Sequence, residues 1–223
     1  MFVEGYSFNS YIKAFNSMGS SIANTYLYSI TALALILVIG ILTSYSAVRR
    51  PSVLTAILDT TTMFPYIIPG SVLGIAMLLA FNHRPLLMSG TALIIIVTYV
   101  VRRLPYTIRS SNAILRQISP SVEEAALSLG ASSPKTFTKI TVPMMISGVL
   151  PGALMSWMSI ISELSASIML YVGSTKTMTI SIYTEVIRGN YGVASALSTI
   201  LIASTVIVLF LFFKITGRSE IDL

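Results

Sequence analysis

The side chains that most often do chemistry are sparse in this sequence. One histidine, His83, and no cysteine stand beside eight carboxylates and fourteen basic residues in 223 positions. Without cysteine there is no disulfide framework and no thiolate metal site, and a lone histidine makes no ligand cluster. No G-x-x-x-x-G-K-[S/T] run occurs, so the chain carries no phosphate loop of that kind. No His, Asp, Glu or Ser set converges within an apolar run, as a membrane enzyme would need. The expectation is a chain with no catalytic residue, no metal and no cofactor of its own.

What remains is a patterned polar stretch and a few isolated ionisable groups. Ser119-Pro120-Ser121-Val122-Glu123-Glu124-Ala125-Ala126-Leu127-Ser128-Leu129-Gly130 reads as one short helix with both ends marked. Ser119 can cap it and Pro120 suits its first position, although Ser121 with Glu124 fits a capping box one step later. Glu123 and Glu124 fall where the helix dipole favours acids. Gly130 can take the left-handed conformation that ends a helix. Val122, Ala125, Ala126 and Leu129 share one face by helical spacing. The alanines on that face would let another surface approach the backbone closely. A helix lying on the bilayer surface fits the same pattern. Ser133-Pro134 then opens a second helix, which carries Lys135 and Lys139 towards Ile140-Thr141-Val142-Pro143.

The elements that must position this stretch are apolar. The chain is 54% hydrophobic and 10% charged, with a mean hydropathy of +0.84. Soluble domains carry about 25% charged residues, and a helix needs about 20 apolar residues to cross a bilayer. The fold class is therefore an all-α polytopic membrane protein, read as one transmembrane domain over 1–223. Five spans are expected, at about 22–48, 54–81, 86–101, 142–169 and 194–213, with a cytoplasmic loop over 104–141. The basic residues are not gathered into a patch with interleaved aromatics, so nucleic acid is not an expected partner.

Arg49, Arg50, Arg102, Arg103, Arg109, Arg116, Lys135, Lys139, Lys214 and Arg218 can all lie on one side, leaving Lys13, Arg84, Lys176 and Arg188 opposite. The side richer in Lys and Arg is cytoplasmic, which places the C-terminus inside and, with five spans, the N-terminus outside. The first twenty residues have no apolar signal-peptide core. The expectation is that a leading span precedes this chain, with Gly5 to Met18 forming an external loop or surface helix.

Glu124-Ala125-Ala126, three residues, Gly130, nine residues, Ile140, one residue and Val142-Pro143 resembles the EAA loop of binding-protein-dependent ABC importer permeases. Val142 in place of Leu is the one departure. The resemblance runs from about Gly5 to the C-terminus and is closest to ferric-iron importer permeases. Ser162 to Tyr171 and Asn190 to Leu197 look like segments of those proteins. The resemblance implies a permease subunit that passes substrate from a periplasmic or extracellular binding protein to the cytoplasm. Ferric iron is the expected cargo, with thiamine, phosphonate, polyamine or sulfate as alternatives.

The resemblance further implies that Ser119, Pro120, Glu123, Glu124, Ala125, Ala126, Gly130, Ile140 and Pro143 belong to a loop that docks on an ATPase subunit. Ala125 and Ala126 would make the close contact, and Glu123 or Glu124 would pair with basic groups on the ATPase. The implied partners are two ATP-binding-cassette subunits, which bind the ATP and magnesium, and a second permease core, either a tandem half or a homodimer mate. A substrate-binding protein and the lipid bilayer complete the set. The implied location is a bacterial or archaeal cytoplasmic membrane. A secondary transporter would need paired intramembrane charges or inverted repeats, and a channel is a further alternative.

Ionisable groups in membrane segments are functional candidates because burying a charge alone is costly. Glu163 lies twenty positions beyond Pro143, roughly 30 Å along a helix. That places it near the outer mouth, where it either draws in a cationic cargo or bonds to Ser162, Ser165 or a basic loop residue. Asp59 is expected to pair with Arg49, Arg50 or Arg103. Pro65, Pro69 and Gly70 in the second span, and Gly148, Pro151 and Gly152 in the fourth, are read as hinge, gate or static kink. His83 is read as a solvated turn residue and Trp157 as packing.

Overall fold

The computed structural model describes residues 7–216. Gly5, at the start of the expected external segment, and Arg218 lie outside that range. Every regular element among the described residues is helical. The order is α1 (Asn9–Arg49), α2 (Val53–Thr61), α3 (Phe64–Ile67), α4 (Gly70–Ala80), α5 (Ala92–Gln117), α6 (Pro120–Ser128) and α7 (Ser133–Thr136). A π-helical turn (Phe137–Thr141), α8 (Val142–Ile161), α9 (Ser167–Leu170), α10 (Met178–Ile187) and α11 (Tyr191–Thr216) follow.

The first helix starts earlier than its apolar core suggests. It has 41 residues, about 60 Å at 1.5 Å per residue, roughly twice the hydrocarbon thickness. No proline interrupts Asn9 to Arg49, so the expected external segment from Asn9 onward continues the same helix. Among the described residues three helical stretches are long and apolar enough to cross a bilayer: Asn9–Arg49, Ser133–Ile161 and Tyr191–Lys214. Val53–Ile67 with Gly70–Ala80 makes a fourth if a broken pair counts as one span. The break is local: Ile68 leaves the helical region at φ −68° and ψ 131°, the extended conformation favoured before a proline. The expected third span differs most. The helix there begins at Ala92 and runs through Pro105 to Gln117, so the first part of the expected loop is helix and carries Arg109 and Arg116.

The described residues divide into two compact units: 7–29, 70–98 and 161–216 form one, and 30–69 with 99–160 form the other. In the first, Ala14, Met178, Val193, Ala196 and Leu197 make a buried cluster joining α1, α10 and α11. Polar bonds tie the same helices: Met178 N–H donates to Thr25 Oγ1 at 2.7 Å, and Ser181 and Ser21 hydroxyls meet at 2.9 Å. In the second, Leu115, Ile118, Met145 and Val149 are buried with Leu37, Ile41, Tyr45, Val48 and Ile114 packed around them.

The close seam of the second unit explains the glycines of α8. A Cβ on Gly152 would stand 2.8 Å from the Tyr106 carbonyl oxygen and 3.0 Å from Thr107 Cα. Gly148 faces Ile114 in the same way, and the Ser110 hydroxyl donates to the Gly148 carbonyl. One turn further on, the Ser156 hydroxyl donates to the Arg103 carbonyl at 3.2 Å. Positions 148, 152 and 156 thus form a small-residue stripe that admits α5 at close range. Helix α8 passes Pro151 without a break.

Candidate functional site

Helix α6 is built as its sequence spells it. Ser119 is extended at φ −62° and ψ 135°, its hydroxyl accepts from the Ser121 N–H, and Pro120 takes the first turn. The cap at Ser119 therefore forms in preference to the one at Ser121. At the other end Gly130 has φ +87°. The Gly130 N–H donates to the Leu127 carbonyl at 2.9 Å, and the Ala131 N–H reaches the Ala126 carbonyl at 3.0 Å. That pair of bonds is a Schellman motif, and it needs the left-handed residue that glycine supplies most easily.

Beyond it the chain returns through α7, whose first turn holds Pro134. The next five residues wind as a π-helix, and the Val142 N–H donates to the Phe137 carbonyl. Pro143 gives the physical reason. A proline ring clashes with the carbonyl four residues back and offers no N–H to it, so the wider turn over Phe137–Thr141 relieves the crowding. Pro143 is exposed and Ile140 half-buried.

The two acids of α6 have different fates. Glu123 Oε1 accepts from Arg49 Nε at 2.9 Å, and Tyr45 Oη donates to Glu123 Oε2 at 3.0 Å. Arg49 Nη2 also donates to the Ile118 carbonyl at 2.8 Å. One guanidinium at the end of α1 therefore holds both the end of the α5 segment and the first turn of α6. The side chains of this pair are only 11% and 13% exposed. Tyr45 completes the brace, its ring meeting Phe137 edge-on at 4.7 Å. Glu124 stays exposed.

This brace fixes the rotation of α6 and turns part of the expected contact face inward. Val122, Glu123 and Ala126 turn inward, and Ala126 is 7% exposed. Ser121, Glu124, Ala125, Ser128 and Leu129 turn outward, with Leu129 at 89%. Of the two alanines expected to meet a partner, only Ala125 is open. Of the two acids, Glu123 is engaged within the chain. Arg49 and Tyr45 escaped the sequence reading as partners of α6, because Arg49 served there as a marker of sidedness and a candidate partner of Asp59, and Tyr45 lies inside an apolar run.

The remaining candidates separate by position. Glu163 is buried at 5%; its carboxylate accepts from the Ala166 N–H at 3.1 Å, and its carbonyl accepts from Thr179 Oγ1 at 2.9 Å. It therefore organises the turn between α8 and α9. Asp59 meets Arg109 at 3.5 Å and Asn112 at 3.4 Å, neither of which the sequence reading linked to it. Pro69 and Gly70 lie at the helix break, where Gly70 is buried, while Pro151 is exposed within unbroken α8. His83 is exposed and Trp157 buried at 7%, as a turn residue and a packing residue should be. Lys176, outside the apolar spans, has its ammonium held below the usual lysine range by burial and by Arg188, partly offset by Glu185. Among the described residues no group of three or more His, Cys, Asp or Glu is placed to hold a metal ion.

Known proteins are similar to this chain. A ferric transport system permease protein from Actinobacillus pleuropneumoniae is 35% identical over 201 residues, covering 90% of this chain and 29% of that protein. A protein named for 2-aminoethylphosphonate transport, from Salmonella typhimurium, is 29% identical over 154 residues, covering 69% of this chain and 58% of its own length. The chain thus spans less than two thirds of either relative. Among solved structures, a bacterial ABC transporter involved in import of the acidic polysaccharide alginate matches with a TM-score of 0.77 at 16% identity. That match covers 97% of this chain and 85% of the other, and it shows a shared fold. Residues 36–219 match the family described as binding-protein-dependent transport system inner membrane component, a stretch that contains α6, its brace and the return helix, and the chain belongs to that family.

Proposed function

We propose that this chain is the membrane-spanning permease part of an ATP-driven importer and that α6 transmits the power stroke from a partner ATPase. The observation that carries the reading is the division of α6 into two faces. One is fastened by Arg49 and Tyr45 through Glu123; the other exposes Ala125, Glu124 and Leu129. A helix gripped on one side and open on the other passes force from a docked partner to α1, α5 and α8. In this reading Ser119, Pro120 and Gly130 shape the docking helix, and Ile140 and Pro143 shape its return. Two ATPase subunits bind the ATP and magnesium, and this chain performs no hydrolysis. A second permease core and a substrate-binding protein complete the assembly.

The proposed topology is five spans in a bacterial or archaeal cytoplasmic membrane, N-terminus outside and C-terminus inside. Ferric iron is the proposed cargo, supported by the relative named for ferric transport; a phosphonate is the second reading, supported by the relative named for 2-aminoethylphosphonate. Glu163 is the candidate to meet a cationic cargo, and Pro69, Gly70 and Pro151 are the candidate gate positions.

The test is uptake by the complete transporter in proteoliposomes with its binding protein and ATP. ATP-dependent accumulation of ferric iron, lost on Glu163→Gln, supports the iron reading. Accumulation of 2-aminoethylphosphonate without iron replaces it, and uptake of either without ATP removes the importer assignment.

A further inference from the structure

Two open grooves adjoin along the last turns of α1, where both are lined by Leu42 and Ser46. One, of about 270 Å³, is lined by Leu42, Tyr45, Ser46, Arg50, Pro134 and Phe137. The other, of about 200 Å³, shares Leu42 and Ser46 and extends along Thr55 and Leu58 of α2. All of these residues belong to one compact unit. The floor is apolar: Leu42, Leu58, Pro134 and the Phe137 ring. The rim carries one cation, Arg50, which is exposed and has no carboxylate partner among the described residues. Its neighbour Arg49 is spent on Glu123, so among the described residues the local acid is already balanced and the Arg50 charge is open to another anion. Ser46 and Ser133 line the same groove.

We propose that these grooves hold an anionic phospholipid, its phosphate at Arg50 and an acyl chain along Leu42 and Leu58. The inference rests on the cytoplasmic placement of Arg50 proposed above. At that boundary a groove with an apolar floor and a single basic rim matches an amphiphile, and basic pockets between spans on the cytoplasmic side are where anionic headgroups bind. A small soluble anion would balance Arg50 and leave Leu42 and Leu58 uncovered. The site is also wired to the docking helix, because Tyr45 lines it while bonding Glu123 and meeting Phe137. An occupied groove limits the space into which Tyr45 can swing, and so steadies α6.

The experiment compares the complete transporter with its R50Q and Leu42→Trp variants in phosphatidylcholine bilayers with and without phosphatidylglycerol, reading retained lipid by native mass spectrometry without ATP. The expected result is phosphatidylglycerol retained by the parent protein, about fivefold less by R50Q, and exclusion by the tryptophan that fills the groove. Glycerol phosphate should not compete, since it lacks the acyl chain. Equal retention by all three proteins overturns the proposal, as does equal competition by glycerol phosphate or a cross-link from a cysteine at position 42 to another protein chain. Retention is read apart from transport, so a complex that holds the lipid but takes up nothing refutes the importer reading alone.

Discussion

Replacing Glu123 with alanine removes one carboxylate and leaves Arg49 and Tyr45 facing a gap. In the native protein that carboxylate takes a charged bond of 2.9 Å and a phenol bond of 3.0 Å. The ion pair is only 11% and 13% exposed, so water screens it weakly. Removing one partner of a buried pair costs about 3 kcal/mol, and at 1.4 kcal/mol per decade that is on the order of a hundredfold in equilibrium. The loss falls on the attachment of α6, because Arg49 also holds the Ile118 carbonyl at 2.8 Å. The assay is hydrogen exchange of the backbone amides across 119–130 in the reconstituted transporter. Protection should fall by about two decades in Glu123→Ala. A double-mutant cycle with Arg49→Met isolates the pair and should return a coupling of about 2 kcal/mol. Additivity within about 0.5 kcal/mol, or unchanged protection, would refute the brace.

Other expectations address different links. Gly152→Val should destabilise the protein by about 2 kcal/mol, since the added atoms meet the Tyr106 and Thr107 backbone, which cannot rotate away; thermal unfolding in detergent measures it, with Gly152→Ala intermediate. Gly130→Val should shift α6 by straining a residue at φ +87°, lowering ATP-driven uptake while Gly130→Asn retains more, since asparagine tolerates that region. Lys176 titrates below the ordinary lysine value in the folded protein. The unfolded chain therefore binds the extra proton between the two values, and stability rises with pH across that window. Unfolding of K176M followed over the same alkaline range should lack that rise.

The ends of α6 were legible because caps are local: Ser119, Pro120 and Gly130 each act within a few residues of themselves. The phase of its buried face was not. Val122, Ala125, Ala126 and Leu129 satisfy helical spacing equally well if the helix turns by a fraction of a revolution. What selects the turn is Arg49, 74 residues away. The same limit hid the length of α5. Arg109 and Arg116 read as a polar loop, yet Ile108 and Leu115 are fully buried beside them, and a helix can present both faces at once. Gly148 and Gly152 suggested a hinge when the chain was read alone; the close approach of α5 gives them another reason to be small. The π turn followed from Pro143 once the helix was known to be continuous, whereas the sequence marked only a proline near a membrane boundary.

The central claim is that the outward face of α6 receives an ATPase. Its most direct measurement places single cysteines at Ala125, Leu129 and, as an inward control, Val122, and adds a bulky maleimide from the cytoplasmic side with and without the ATPase subunit bound. The account predicts rapid labelling at 125 and 129 without the ATPase, slow labelling at 122, protection of both outward sites once the ATPase is bound, and loss of ATP-driven uptake when either is labelled before it binds. Full ATP-driven uptake after complete labelling of 125 and 129 would contradict it.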